Sequence, residues 1–154
     1  MAKPGTLYTI GYQALPPARL AALAAHLDAT VIDCRASPVS RSHGYGRRQL
    51  EALLGPRYEP RGHQLGGRRA GVSHTTAAGI AVLRADLAAG RNLMLMCMES
   101  APGECHRHSD ICAPHFPDAL HIYEREIVTA RALQTCLDDA NEDADYPIAA
   151  FLPL

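Results

Sequence analysis

The run Leu93-Met94-Leu95-Met96-Cys97-Met98 constrains this chain more than any other stretch. It has strand length and no polar alternation, and a strand without a polar face must be covered on both sides. The rest of the chain is therefore expected to supply helices above and below a sheet. Leu7-Tyr8-Thr9-Ile10 reads as a strand closed by Gly11. Pro16 and Pro17 open a helix in which Leu20, Leu23, Ala24 and Leu27 recur at helical spacing. Thr30 to Asp33 reads as a strand, Arg47 to Leu54 as a helix, and Thr75 to Ala89 as a helix stopped by Gly90. A helix is expected from about Cys105 to Ala113, a strand from Ala119 to Tyr123, and a helix from Ile127 to Leu137. Pro60 and nearby glycines make Arg57 to Gly67 an edge strand or a loop.

Strands alternating with helices predict an α/β fold, Rossmann-like, with a mostly parallel sheet and helices on both faces. The 154 residues suit a single domain. Residues 1–123 are its α/β body; residues 124–154 are a C-terminal helix and acidic tail, part of that domain or appended to it. No stretch reads as a secretion signal or reaches the roughly 18 apolar residues of a membrane span, so no membrane partner is expected. Five cysteines without a disulfide-like framework point to a reducing cytoplasm.

Charge is unevenly placed. Between Arg35 and Arg69 eight arginines face only Glu51 and Glu59, whereas eight acids from Asp118 onward face only Arg125 and Arg131. A basic middle and an acidic tail predict a localised anion site, with the run Asp138 to Asp145 solvated.

Ligands of open parallel sheets bind beyond the carboxyl ends of the strands, and three polar loops lie at that edge. Thr9, Gly11 and Tyr12 close the first strand. Asp33-Cys34-Arg35, then Ser37, Ser40 and Arg41, follow the second; alternation puts Asp33 and Arg35 on one face and Cys34 on the other. Two guanidinium groups with serine hydroxyls suit a phosphate or carboxylate, although Asp33 and Arg35 can equally form a structural ion pair. After the apolar strand come Cys97, Glu99, Cys105, His106 and Arg107. Cys97 and Glu99 share a face, with Glu99 a candidate acid, base or nucleophile and Cys97 expected to pack as a small hydrophobe. Cys105, near a helix start and beside His106 and Arg107, is a candidate thiolate. Gly66-Gly67-Arg68 adds a flexible basic loop. Cys105, His106, His108 and Cys112 crowd together but lack paired Cys-x-x-Cys spacing, so neither a metal nor another cofactor is expected.

These elements together resemble the bacterial and archaeal domain-of-unknown-function family numbered 488. The likeness runs in order from about Tyr8 to Tyr123: TIGYQ, DCRASPVSR with Tyr45 and Arg47, LGGRR, CMES, ECHRH and a closing His121-Ile122. It implies a compact Rossmann-like fold in the cytoplasm and no particular reaction. Cys34 stands where an aliphatic residue is more common in that family, which implies packing.

The leading expectation is a small enzyme acting on a nucleotide-like or phosphorylated, anionic substrate. Arg35, Arg41 and Arg68 would hold the anion, Glu99 would act as acid/base or nucleophile, and Cys105, His106 and Arg107 would complete the pocket. A binding module for nucleic acid or nucleotides, without catalysis, is the second reading, and thiol chemistry at Cys105 the third.

Overall fold

In the computed structural model, residues 3–38, 40, 42–69, 71–123, 126–138 and 150–151 are described. In chain order the strands are β1 (Leu7–Gly11), β2 (Ala29–Asp33), β3 (Tyr58–Pro60), β4 (Gly66–Arg69), β5 (Val72–Thr75), β6 (Asn92–Cys97), β7 (Leu120–Tyr123), β8 (Glu126–Thr129) and β9 (Ala150–Phe151). The α-helices are α1 (Pro17–His26), α2 (Arg47–Leu54), the short α3 (Gly62–Leu65), α4 (Ala77–Ala88), the single turn α5 (Ala113–His115) and α6 (Ala130–Asp138). A π-helical segment, Arg107–Cys112, runs directly into α5.

The chain forms one α/β domain around a sheet ordered β3-β2-β6-β1-β7-β8-β9. The first five of these strands are mutually parallel, and β8 and β9 add antiparallel at one edge. The apolar run is the central strand β6, between β2 and β1, and its side chains divide as a strand covered on both faces requires. Met94 and Met96 pack with Leu20, Leu23 and Ala24 of α1 and Leu50 and Leu54 of α2. Leu93 and Leu95 pack with Ile80 and Leu83 of α4, Ile111 and Cys112 of the π segment, and Ala130. Cys34 belongs to this second cluster and is fully buried, the packing role expected of it.

Three departures from the sequence reading have a clear physical reason. Helix α4 starts two residues later than expected, because Thr76 caps it: its hydroxyl accepts the Gly79 N–H at 3.0 Å. Within Arg57 to Gly67, β3 is the expected edge strand, but Gly66 onward forms a separate hairpin with β5 that the sequence did not announce. Its Val72, Ser73 and His74 are exposed, so no buried face imposed an apolar alternation on it. The expected helix at Ile127 begins instead at Ala130, since Ile127 and Val128 pair with Ile122 and His121 across an antiparallel turn. The acidic run beyond Asp138 lies outside the described residues. No helix among the described residues is long and apolar enough to cross a membrane.

The connection leaving β1 runs through α1 on one face, whereas that leaving β6 runs through the π segment on the other. Because β1 and β6 are neighbours, their outgoing loops diverge and leave a crevice at the carboxyl ends of the strands.

Candidate functional site

That crevice holds a cavity of about 500 Å3 lined by Arg35, Ala36, Gly67, Cys97, Glu99, Gly103, Glu104, Cys105, His106 and Ser109. Arg35 and Glu99, contributed by loops after different strands, thus share one pocket. The β4–β5 hairpin closes one side through Gly67, where a side-chain carbon would stand 3.2 Å from His106 Nδ1.

The chemistry concentrates where β6 ends. Cys97 and Glu99 both reach the cavity, as alternation required, but Cys97 is not a mere packing residue. Its Sγ lies 3.8 Å from His106 Nδ1, and Cys105 Sγ lies 3.7 Å from the same nitrogen. The three ligand-capable atoms all fall within 4.8 Å of one another. His106 Nε2 is 2.9 Å from the Leu65 carbonyl, which can only accept, so Nε2 carries a proton. Against burial, the Cys105 thiolate and that carbonyl raise the imidazole, so Nδ1 also holds a proton toward the sulfur. The Cys97 thiol donates toward Cys105, and together with His106 and the Arg107 charge it holds the Cys105 thiol down, to about 3, against the effect of burial. Cys97, as donor beside that thiolate, is pushed up, and burial adds to the rise. Burial and the negative charge on Cys105 raise the Glu99 carboxyl, whose Oε2 is buried without a hydrogen-bond partner.

Of the arginines expected to hold an anion, Arg35 lines the cavity but is already engaged. Arg35 grips Asp33 with two bonds, Nε to Oδ1 at 2.9 Å and Nη2 to Oδ2 at 2.7 Å, and gives Nη1 to the Tyr45 carbonyl at 2.8 Å. Its guanidinium lies over Tyr12, which stacks on Tyr45 with ring centroids 4.4 Å apart. Arg47, Arg57 and Arg61 are likewise paired with Glu51, Asp28, and Glu59 with Asp86. The basic middle of the chain is in good part neutralised by acids brought in through folding. Ser37 is exposed and Ser40 accepts the Ser42 N–H at 3.0 Å; neither lines the cavity. Arg41 and the Arg68 side chain lie outside the described residues.

Arg107 is fully buried and also points away from the cavity. Nη1 binds the Glu99 carbonyl at 2.7 Å, Nη2 the Ser100 carbonyl at 3.2 Å, and Nε the Thr9 hydroxyl at 3.2 Å. Its role is to hold the backbone from which Glu99 projects. Gly11 serves the same loop: a Cβ there would run into the Glu99 carbonyl. Gly66 is close-packed too, its missing Cβ lying 2.6 Å from the Gly62 carbonyl. Thr9, Gly11, Tyr12, Gly66 and Arg107 are thus supports of the site and not contacts within it. Gly11→Ala is expected to cost about 1–3 kcal/mol by overpacking and to displace the Glu99 loop; a melting temperature equal to that of the unsubstituted chain would refute the close approach.

A relay absent from the sequence reading runs beneath the site, buried from Thr9 through His121 to His108 and reaching the surface at Asp138. Asp138 accepts from Gln134 Nε2 at 2.7 Å, which turns Gln134 Oε1 toward His108 Nε2 at 2.8 Å. His108 Nε2 therefore donates, and its Nδ1 accepts from His121 Nε2 at 2.9 Å. His121 Nδ1 is left to accept the Thr9 hydroxyl at 2.6 Å, while Thr9 accepts from Arg107. Every member has one workable orientation, and both imidazoles are neutral. The four residues that crowd together in the sequence, Cys105, His106, His108 and Cys112, therefore separate in the fold. His108 belongs to the relay, Cys112 is buried in the core, and Cys97 joins Cys105 and His106 instead.

Comparison with family models, with curated proteins and with solved structures returns no match.

Proposed function

We propose that the protein is a small enzyme that hydrolyses or transfers a group on a small polar molecule, with Glu99 as the acid/base. The observation that carries this reading is the buried, unpartnered Glu99 Oε2 in the cavity beyond β6. A carboxyl oxygen that is desolvated and unbonded is costly to keep in a structure and marks a group held for chemistry. The cavity volume suits a metabolite of nucleoside size.

The substrate class differs from the sequence expectation in one respect. The cavity is lined by Glu99 and Glu104 against Arg35, whose charge is shared with Asp33. This balance favours a neutral reacting end over a phosphate. Engagement of Arg35, Arg47, Arg57 and Arg61 by acids also counts against a nucleic-acid backbone as the ligand. Free thiols in the cavity fit work in a reducing cytoplasm.

The test is Glu99→Gln with a panel of nucleosides, nucleotides and small amides, screened first by thermal shift and then for turnover. A compound that stabilises both forms alike should be consumed at least about a hundred-fold more slowly by the variant. Equal turnover by the two forms would remove Glu99 from the chemistry.

A further inference from the structure

The cluster of Cys97, Cys105 and His106 has no function in the scheme above. We propose that these three side chains form a site for a thiophilic divalent cation, zinc above all, whose fourth position opens to the cavity beside Glu99. The inference rests on the Glu99 reading for its chemical consequence, but its geometry is independent of that reading.

Zinc with Zn–S of about 2.3 Å and Zn–N of about 2.0–2.1 Å separates tetrahedral sulfur and nitrogen ligands by about 3.5–3.6 Å. The Sγ–Nδ1 separations of 3.8 and 3.7 Å need change by only a few tenths of an ångström. The Leu65 carbonyl keeps a proton on His106 Nε2 and turns Nδ1 to the sulfurs, so a metal that displaces the Nδ1 proton would find the outer-shell arrangement that metal-bound histidines use. Gly67 leaves the space beside Nδ1 free of a side chain. Two sulfurs and an imidazole are soft ligands that select zinc over magnesium or calcium. The approach of Cys97, Cys105 and His106 brings together two chain segments, so the site could not be read as a short motif.

Three protein ligands with an open position are the arrangement of catalytic zinc. Water held there would give its proton to Glu99, the hydroxide would add to an electrophilic carbon of the substrate, and Glu99 would return the proton to the leaving group. The net reaction is hydrolysis, with nothing oxidised or reduced.

The experiment is titration of the chelator-stripped full chain with cobalt(II) and then zinc. One cobalt per chain is expected, with the intense visible bands of a tetrahedral thiolate site, displaced by one zinc. Cys97→Ser and His106→Gln should each weaken zinc binding at least about a hundred-fold. In the unsubstituted chain, which avoids any folding defect, zinc should protect Cys105 from iodoacetamide. Absence of a stoichiometric cobalt band, undiminished affinity in both variants, or Cys105 alkylation at pH 6 equally fast with zinc present would each overturn the proposal. Glu99→Gln separates it from the enzyme reading, because the variant should bind zinc as the unsubstituted chain does. A zinc site with Glu99→Gln fully active would sustain the metal and end the acid/base role; an inactive Glu99→Gln with no zinc bound would do the reverse.

Discussion

Asp33→Asn is expected to destabilise the fold by about 3–5 kcal/mol, because it leaves the Arg35 charge buried without its counter-ion. Asp33 is 1% exposed and accepts four hydrogen bonds: from the Arg35 backbone N–H, from Nε and Nη2 of the same residue, and from the Tyr58 hydroxyl. Burial and that bond to Asp33 both push the Tyr58 phenol up, so its proton stays in place through any physiological range. For a chain of this size each kcal/mol moves the melting temperature by roughly 2–4 °C, so a fall of roughly 10 °C is expected. The double variant Asp33→Asn/Arg35→Met should recover much of the loss, since no unpaired charge remains. Urea midpoints for the three proteins measure both effects. A single variant within about 1 kcal/mol of the unsubstituted chain would mean that the pair is solvated, and Arg35 would again be free to hold an anion.

The sheet was legible because burial on two faces leaves a mark that no other strand context leaves. Leu93 to Cys97 announced its own coverage, and the helix spacing of Leu20, Leu23 and Ala24 supplied one of the layers. Alternation also placed Cys97 with Glu99 and separated Cys34 from Asp33 and Arg35. What failed was inference from charge counting. Local excess of arginine says nothing about acids that folding brings in from elsewhere, and Asp28 and Asp86, which engage Arg57 and Arg61, both lie outside the basic segment. The thiol pair was hidden for a similar reason, because Cys97 and Cys105 meet only after the intervening loop turns back. The relay had a signal that went unread: Thr9 and His121 are lone polar residues at the middle of apolar strands, paired side by side across β1 and β7. A polar residue in such a place demands a partner, and the facing positions named it.

That relay predicts acid-sensitive stability. His121 is pushed down to about 3 by burial, with His108 and the Arg107 charge acting in the same direction, and burial lowers His108 as well. In the unfolded chain both imidazoles take up a proton below their ordinary value near 6.5, whereas the folded protein resists doing so. Between those limits the unfolded state binds more protons, so stability is full above about pH 6.5 and falls as the pH is lowered. Below about pH 6.5 His121 contributes about 1.4 kcal/mol per pH unit, which amounts to several kcal/mol by pH 4, and His108 acts in the same direction. His121→Gln isolates this contribution, because glutamine can still accept from Thr9 and donate to His108 yet cannot titrate. Urea midpoints at pH 7, 6, 5 and 4.5 should show a steep decline for the unsubstituted chain and a slope shallower by about one proton for the variant. Parallel slopes would mean that His121 is already protonated in the fold. Its Nδ1 could not then accept from Thr9, and the directional chain from Arg107 to Asp138 would have to be broken at that point.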